Sequence, residues 1–206
     1  MKMRIIGTLI TILGLSVSWG QTDLCRPSVF KDGSIWKGSD VIEMFTLTNA
    51  SGMSIKVTNY AASLTDVSVP DRQGQFEHVV LGFDSLESYL ERHPKFGATI
   101  GRFANRIRNA EFSLNGQTYH LEKNNKEHSI HGGTNGFNRQ VFKTDTFYTV
   151  KDTAIVVFKY KSAHLEGGFP GNIELSIAYK LTNHNEIVLE LSLIHISEPT
   201  RRSYIS

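Results

Sequence analysis

From Val41 onward apolar and polar positions alternate with a period of two. Met53, Ile55 and Val57 are separated by Ser54 and Lys56, the pattern of a strand with one buried face. Val67-Ser-Val69 is a short strand stopped at Pro70, and Asp71–Gly74 forms a turn before Val79-Val-Leu81. Phe147–Val150 and Ile155–Tyr160 flank Lys151-Asp152 as a hairpin. Ile173, Leu175, Ile177, Tyr179 and Leu181 then alternate, Thr182–Asn185 turns the chain, and Ile187 and Leu189 resume the pattern. One helix is expected: Asp84 can cap it, Glu87 completes a capping box, and Pro94 follows its end. Many short strands with turn punctuation predict an all-β, antiparallel β-sandwich.

The sharpest local signal lies within Phe96–Gly133. Ala110–Leu114 and Gln117–Leu121 flank Asn115-Gly116, which suits a type I′ turn because both central residues need positive φ. On either side of this hairpin sit two polar clusters, Arg102–Arg106 and Ser129–Gly133. The hairpin can return the chain so that Asn105, Arg106 and His131 meet. A guanidinium fork, an amide and an imidazole can together satisfy several hydroxyls of one small polar ligand. On the residues alone, a salt bridge for Arg106 and a turn cap for Asn105 are the simpler assignments. Gly101 and Arg102 read as structural, Gly132 and Gly133 as a tight turn, and His120 and His128 as solvated. Glu127, Asp145 and Glu166 read as ordinary loop carboxylates.

Composition narrows the class. The chain has 206 residues, with 22 Lys+Arg against 20 Asp+Glu and 40% hydrophobic residues. That suffices for one cored domain and gives no electrostatic reason to expect nucleic acid. Residues 1–20 have the order of a signal peptide: basic Lys2 and Arg4, apolar Ile5–Val17, then Ser18-Trp19-Gly20. Cleavage before Gln21 would leave an exported protein, periplasmic or secreted, with no membrane attachment. Cys25 follows Asp23-Leu24, which argues against lipidation, and as the single cysteine it forms no intramolecular disulfide. Residues 21–40 read as a lead-in to the domain.

Several motifs occur in a fixed order: Asn59-Tyr60, Val69–Arg72 with Gly74, Val80–Phe83, Tyr89, Gly101–Ile107, Phe112 with Asn115-Gly116, Ser129–Gly133 with Gly136-Phe137, and Gly167–Gly171. Over 41–190 this order resembles the galactose mutarotase (aldose 1-epimerase) family. Ala61-Ala62 departs from it where glycine usually follows Asn-Tyr, and Phe142 stands where tryptophan is common. The resemblance implies the galactose mutarotase-like supersandwich, truncated here, and the interconversion of α and β anomers of free aldohexoses. In that reaction a proton goes to the ring oxygen, another leaves the C1 hydroxyl, and the ring opens and recloses. It implies substrate binding by Asn105, Arg106 and His131, with His131 also placed to polarise the ring oxygen. No metal or organic cofactor enters such chemistry, and a structural calcium, as in some secreted relatives, stays open. The expected partner is a free aldose, and the expected state a monomer. The alternatives are a non-catalytic carbohydrate-binding β-sandwich and a hexose-phosphate epimerase relative.

Two stretches invite misassignment. Leu181-Thr-Asn-His184 copies the motif around the family's acid histidine, but Asn185-Glu-Ile-Val-Leu follows, and the family places that motif after a further strand and loop. His184 therefore belongs to a turn, and the family's catalytic histidine and glutamate lie beyond this chain. Leu191–Arg201 resembles no part of the family and reads as translated transposase adapter DNA. Residues 191–206 are accordingly expected to be a non-native tail in which His195 and Glu198 have no role.

Overall fold

The computed structural model describes residues 26–91 and 94–196. The expected signal peptide and the last part of the tail lie outside them. Two antiparallel sheets face one another. The first has the order β1 (Ser28–Lys37), β2 (Asp40–Thr48), β3 (Ser54–Thr58), β4 (Ser63–Pro70) and β5 (Phe76–His78). Three short pieces follow before the second sheet: β6 (Arg106–Ile107), the hairpin β7 (Glu111–Leu114) and β8 (Gln117–His120), and β9 (Ser129–Ile130), which pairs with β6. The second sheet has the order β10 (Lys143–Val150), β11 (Thr153–Ser162), β12 (Asn172–Thr182) and β13 (Ile187–Ile196).

The alternation seen in the sequence becomes the core. Phe45, Leu47, Ile55, Val57 and Val67 from the first sheet meet Val156, Phe158, Leu175, Ile177 and Leu181 from the second, and all are buried. Burying such side chains contributes roughly 1.5–3 kcal/mol each before conformational entropy is set against it. Polar stitches fix how the sheets face. The Tyr179 hydroxyl donates across the sandwich to Ala62 O at 2.8 Å. At one corner Asn49 Nδ2 donates to Thr182 O and Asn185 Oδ1. Buried Asn59 donates to Val41 O and Phe142 O and accepts the Glu43 N–H, so the Asn59-Tyr60 motif works as a structural rivet.

Four local expectations change. The lead-in contains β1, paired along β2 with a bulge between Lys31 and Gly33. As an exposed edge strand (Trp36 is 72% exposed) it lacks the contrast that makes a period visible. Pro70 ends β4 two residues past its last pairing with β3, so its missing N–H breaks no bond to that strand, and the strand after the turn is Phe76–His78, not Val79–Leu81. Asp71 Oδ1 accepts the N–H groups of Gln73 and Gln75 and closes that turn early.

The expected helix is one 3-10 turn, Glu87–Tyr89, without a side-chain cap. Tyr89 is fully buried beside Ile42 and Tyr60, and its hydroxyl accepts the Phe83 N–H and donates to Thr65 O. Tertiary anchoring through that tyrosine replaces the longer run of backbone bonds a helix needs. In the tail, residues 191–196 continue β13, and β13 pairs with β12 along its whole length. Leu189, Leu191 and Leu193 of β13 sit opposite buried Tyr179, Ile177 and Leu175 of β12, yet all three are exposed.

Candidate functional site

The β7–β8 hairpin forms as its turn chemistry dictates, with Asn115 and Gly116 at φ 54° and 77°. Its closure, with Leu121 N–H donating to Ala110 O, brings β9 back beside β6 in the register Arg106↔Ile130 and Ile107↔Ser129. That ladder continues one residue further as a reciprocal pair. His131 N–H donates to Asn105 O at 3.0 Å, and Asn105 N–H donates to His131 Nδ1 at 3.1 Å. Both residues are left-handed, Asn105 at φ 65° and His131 at φ 56°. Such strain persists only where surrounding contacts over-determine it. The structure thus brings Asn105, Arg106 and His131 together, as the sequence spacing anticipates.

Each polar group has a defined role. His131 Nδ1 is an acceptor for the Asn105 amide, so neutral His131 carries its proton on Nε2 and offers one donor outward. Partial burial, then the positive charges of Lys95 and Arg106, hold the imidazole below the ordinary histidine value. Arg106 is exposed, and its Nε donates to Asn125 Oδ1 at 3.2 Å. Asn105 is exposed as well. Lys95 and Asn125 are the participants that the sequence reading lacks. Only spatial proximity to His131 and Arg106 identifies them.

The floor is built by close backbone approach. Gly132, at φ 82°, lies so near Gly101 that an added Cβ would sit 1.8 Å from Gly101 O. This agrees with the tight-turn reading of His131-Gly-Gly133. Arg102 is structural, as expected: Nε bonds Ser162 Oγ at 2.9 Å, Nη1 bonds Pro170 O and Gly171 O, and Nη2 bonds Ala163 O. It clamps the β11–β12 loop against the site floor. Glu166 in that loop is not an idle carboxylate, because it accepts the hydroxyl protons of Tyr160 and Ser162. Burial, then the Glu166 carboxylate, pushes the Tyr160 phenol up.

His128 is likewise not free in solvent. It is half-buried, and its Nδ1 accepts the Asn109 N–H at 3.1 Å. His120 and Asp145 behave as expected of surface groups, facing Glu111 and Lys159 respectively.

His184 sits in the β12–β13 turn, 3.7 Å from Asp152 at the β10–β11 turn. β12 starts beside the loop that Arg102 clamps and ends at this turn, so its length, roughly 35 Å at the usual rise, separates His184 from the site. A groove of about 720 Å³ lies elsewhere, against the first sheet, among Asp32, Lys56, Asp66, His78 and Phe83. It contains none of the trio, which forms an open shelf.

Comparison with known proteins gives a consistent result. The family model described as aldose 1-epimerase matches residues 43–201, a span that runs past Glu190 into the tail. The galactose mutarotase of Mus musculus is 36% identical over 149 residues, covering 72% of this chain and 42% of that protein. The aldose 1-epimerase of Escherichia coli K12 is 30% identical over 161 residues, 78% of this chain and 44% of that protein. Among solved structures, a galactose 1-epimerase from Lactobacillus acidophilus superposes with TM-score 0.72 at 27% identity, covering 83% of this chain and 49% of its own. The chain spans under half the length of the curated relatives it matches.

Proposed function

Since this chain belongs to the aldose 1-epimerase family, we propose that it holds the hydroxyls of a free aldohexose during interconversion of its α and β anomers. The observation that carries this reading is the Asn105–His131 reciprocal bond beside an exposed Arg106. It leaves donors of three kinds on neighbouring residues of one open shelf. Arg106 presents guanidinium N–H groups, Asn105 an amide that donates and accepts, and His131 a neutral Nε2–H.

Mutarotation requires a proton at the ring oxygen and removal of one from the C1 hydroxyl. With Nδ1 engaged and its basicity lowered, His131 is suited to donate a hydrogen bond, not to exchange a proton. It would polarise an oxygen whose charge grows as the ring opens, the kind of preorganised donor that stabilises a transition state. The proton-moving acid and base of the reaction are therefore other residues than this trio. The basic and apolar order of residues 1–20 supports export of the protein, and hence a free sugar in preference to a phosphorylated one.

The test is binding separated from turnover. Isothermal titration of the 206-residue chain with D-galactose, alongside polarimetry of fresh α-D-glucose, should show sugar binding without acceleration over buffer. Acceleration well above buffer would place the proton-moving groups within this chain. Absence of binding in a folded sample would remove the sugar-holding role.

A further inference from the structure

The guanidinium that the sugar reading depends on is not oriented by a carboxylate. Its one bond to a described residue runs from Nε to Asn125 Oδ1, at 3.2 Å, and neither terminal nitrogen bonds another described residue. Asn125 is fixed from behind. Its N–H donates to His128 O and its carbonyl accepts the His128 N–H, both at 3.0 Å, closing a turn with Lys126 at φ 54°. His128 is in turn held by the Asn109 amide, and the next residues, Ser129-Ile130, form β9 against Arg106-Ile107. The acceptor for Nε is thus built into the same ladder that positions His131.

We propose that Asn125 is a positioning residue for Arg106, fixing the guanidinium through Nε so that its terminal N–H groups stay directed to a sugar hydroxyl beside His131. The inference rests on the sugar-binding reading of the site. The choice of an amide has a physical consequence. A carboxylate here would form a paired fork with the guanidinium, take one of the terminal donors and cancel its charge. An amide oxygen accepts one N–H, adds no charge, and leaves Arg106 fully cationic next to His131. The charged groups bearing on His131 are Lys95 and Arg106.

Two variants test this without disturbing the turn, whose Asn125–His128 bonds are both backbone. Asn125→Ala removes the acceptor, and Asn125→Asp replaces it with a competing charge. The readouts are D-galactose affinity by titration calorimetry and the His131 ring titration by NMR, with Glu127→Ala in the same turn as a control. Both Asn125 variants should lose roughly 5- to 10-fold in affinity, the size of one ordinary hydrogen bond. Asn125→Ala, which adds no charge of its own, should also move the His131 midpoint upward, because the released guanidinium no longer stands beside the ring. Wild-type affinity and an unmoved His131 midpoint in Asn125→Ala would overturn the proposal, and so would an equal loss in Glu127→Ala. If the wild-type chain binds no galactose yet the His131 midpoint still moves, the positioning of Arg106 stands and the sugar reading fails.

Discussion

The backbone N–H of Asn105 lies 3.1 Å from His131 Nδ1, and the His131 N–H lies 3.0 Å from Asn105 O. The two residues hold each other in left-handed conformations that cost roughly 1–2 kcal/mol apiece. A single protonation can therefore undo both the local backbone and the site. A proton on Nδ1 would face the Asn105 N–H donor to donor.

The pH dependence follows with a definite sign. The folded-state value of His131 is held below the ordinary 6.5 by desolvation, then by Lys95 and Arg106. Its contribution to stability is full above that ordinary value and is lost as pH falls through the depressed one. D-Galactose affinity should be flat from pH 7 to 8, on the order of neutral conditions, and should drop on acidification together with the Asn105 amide signal. An affinity that rises in acid would show that the imidazolium is the binding form.

Removing the donors should separate site from scaffold. Arg106→Ala and His131→Ala should each weaken sugar use by roughly 1–3 kcal/mol, because each leaves a hydroxyl unpaired in the bound state. His184→Ala should be nearly silent, since His184 faces Asp152 at the far end of β12. Calorimetric titration of the 206-residue chain with D-galactose, carrying each change in turn, would decide it. A large loss from His184→Ala alone would reverse the assignment.

The loop clamp makes a stability prediction. Glu166→Ala leaves the hydroxyls of Tyr160 and Ser162 without their acceptor, and Arg102 donates to that same Ser162. Unpaired, partly buried donors of this kind cost roughly 1–3 kcal/mol. Thermal denaturation should show Glu166→Ala well below wild type and Glu166→Gln intermediate, because the amide oxygen restores one acceptor. Equal melting of all three would mean that the loop is held by packing alone.

How much of this is legible in the chain differs by element. β3 and β12 announce themselves because one face is buried and the other wet along their length. β1 does not, since both its faces are largely exposed and a bulge between Lys31 and Gly33 breaks its register. The helix expectation fails because capping signals describe a local preference, and Tyr89 anchors the chain tertiarily. The trio is readable from its motifs, whereas Asn125, His128 and Lys95 become visible only when backbone geometry folds them onto Arg106, Asn109 and His131. The departure at Ala61 also gains a physical meaning. Ala61 and Ala62 sit at φ 57° and 41°, conformations that glycine adopts without cost. Ala61→Val should therefore destabilise by about 2 kcal/mol or more, while Ala61→Gly stays within about 1 kcal/mol of wild type on melting.

The edge strand β13 carries the last prediction, which concerns the behaviour of the chain in solution. Thr182 N–H bonds to Glu186 O, and the register of β12 with β13 keeps that parity, so the odd-numbered residues of β13 turn their backbone groups to the edge that no other described strand pairs. Leu189, Leu191 and Leu193 are among them, and Leu191 is 60% exposed. An unpaired edge with an apolar row is a template for another chain. A second copy pairing antiparallel about Leu191 would set Leu189 against Leu193 and Glu190 against Ser192, with no like charges opposed. We therefore expect concentration-dependent self-association when the 206-residue chain is expressed alone. Leu191→Lys should suppress it, because a lysine on an open edge repels its own copy and needs solvent. Light scattering across a concentration series on both proteins provides the measurement. A wild-type chain that stays monomeric at high concentration, or a Leu191→Lys variant that associates equally well, would show that β13 is covered by something other than a second copy.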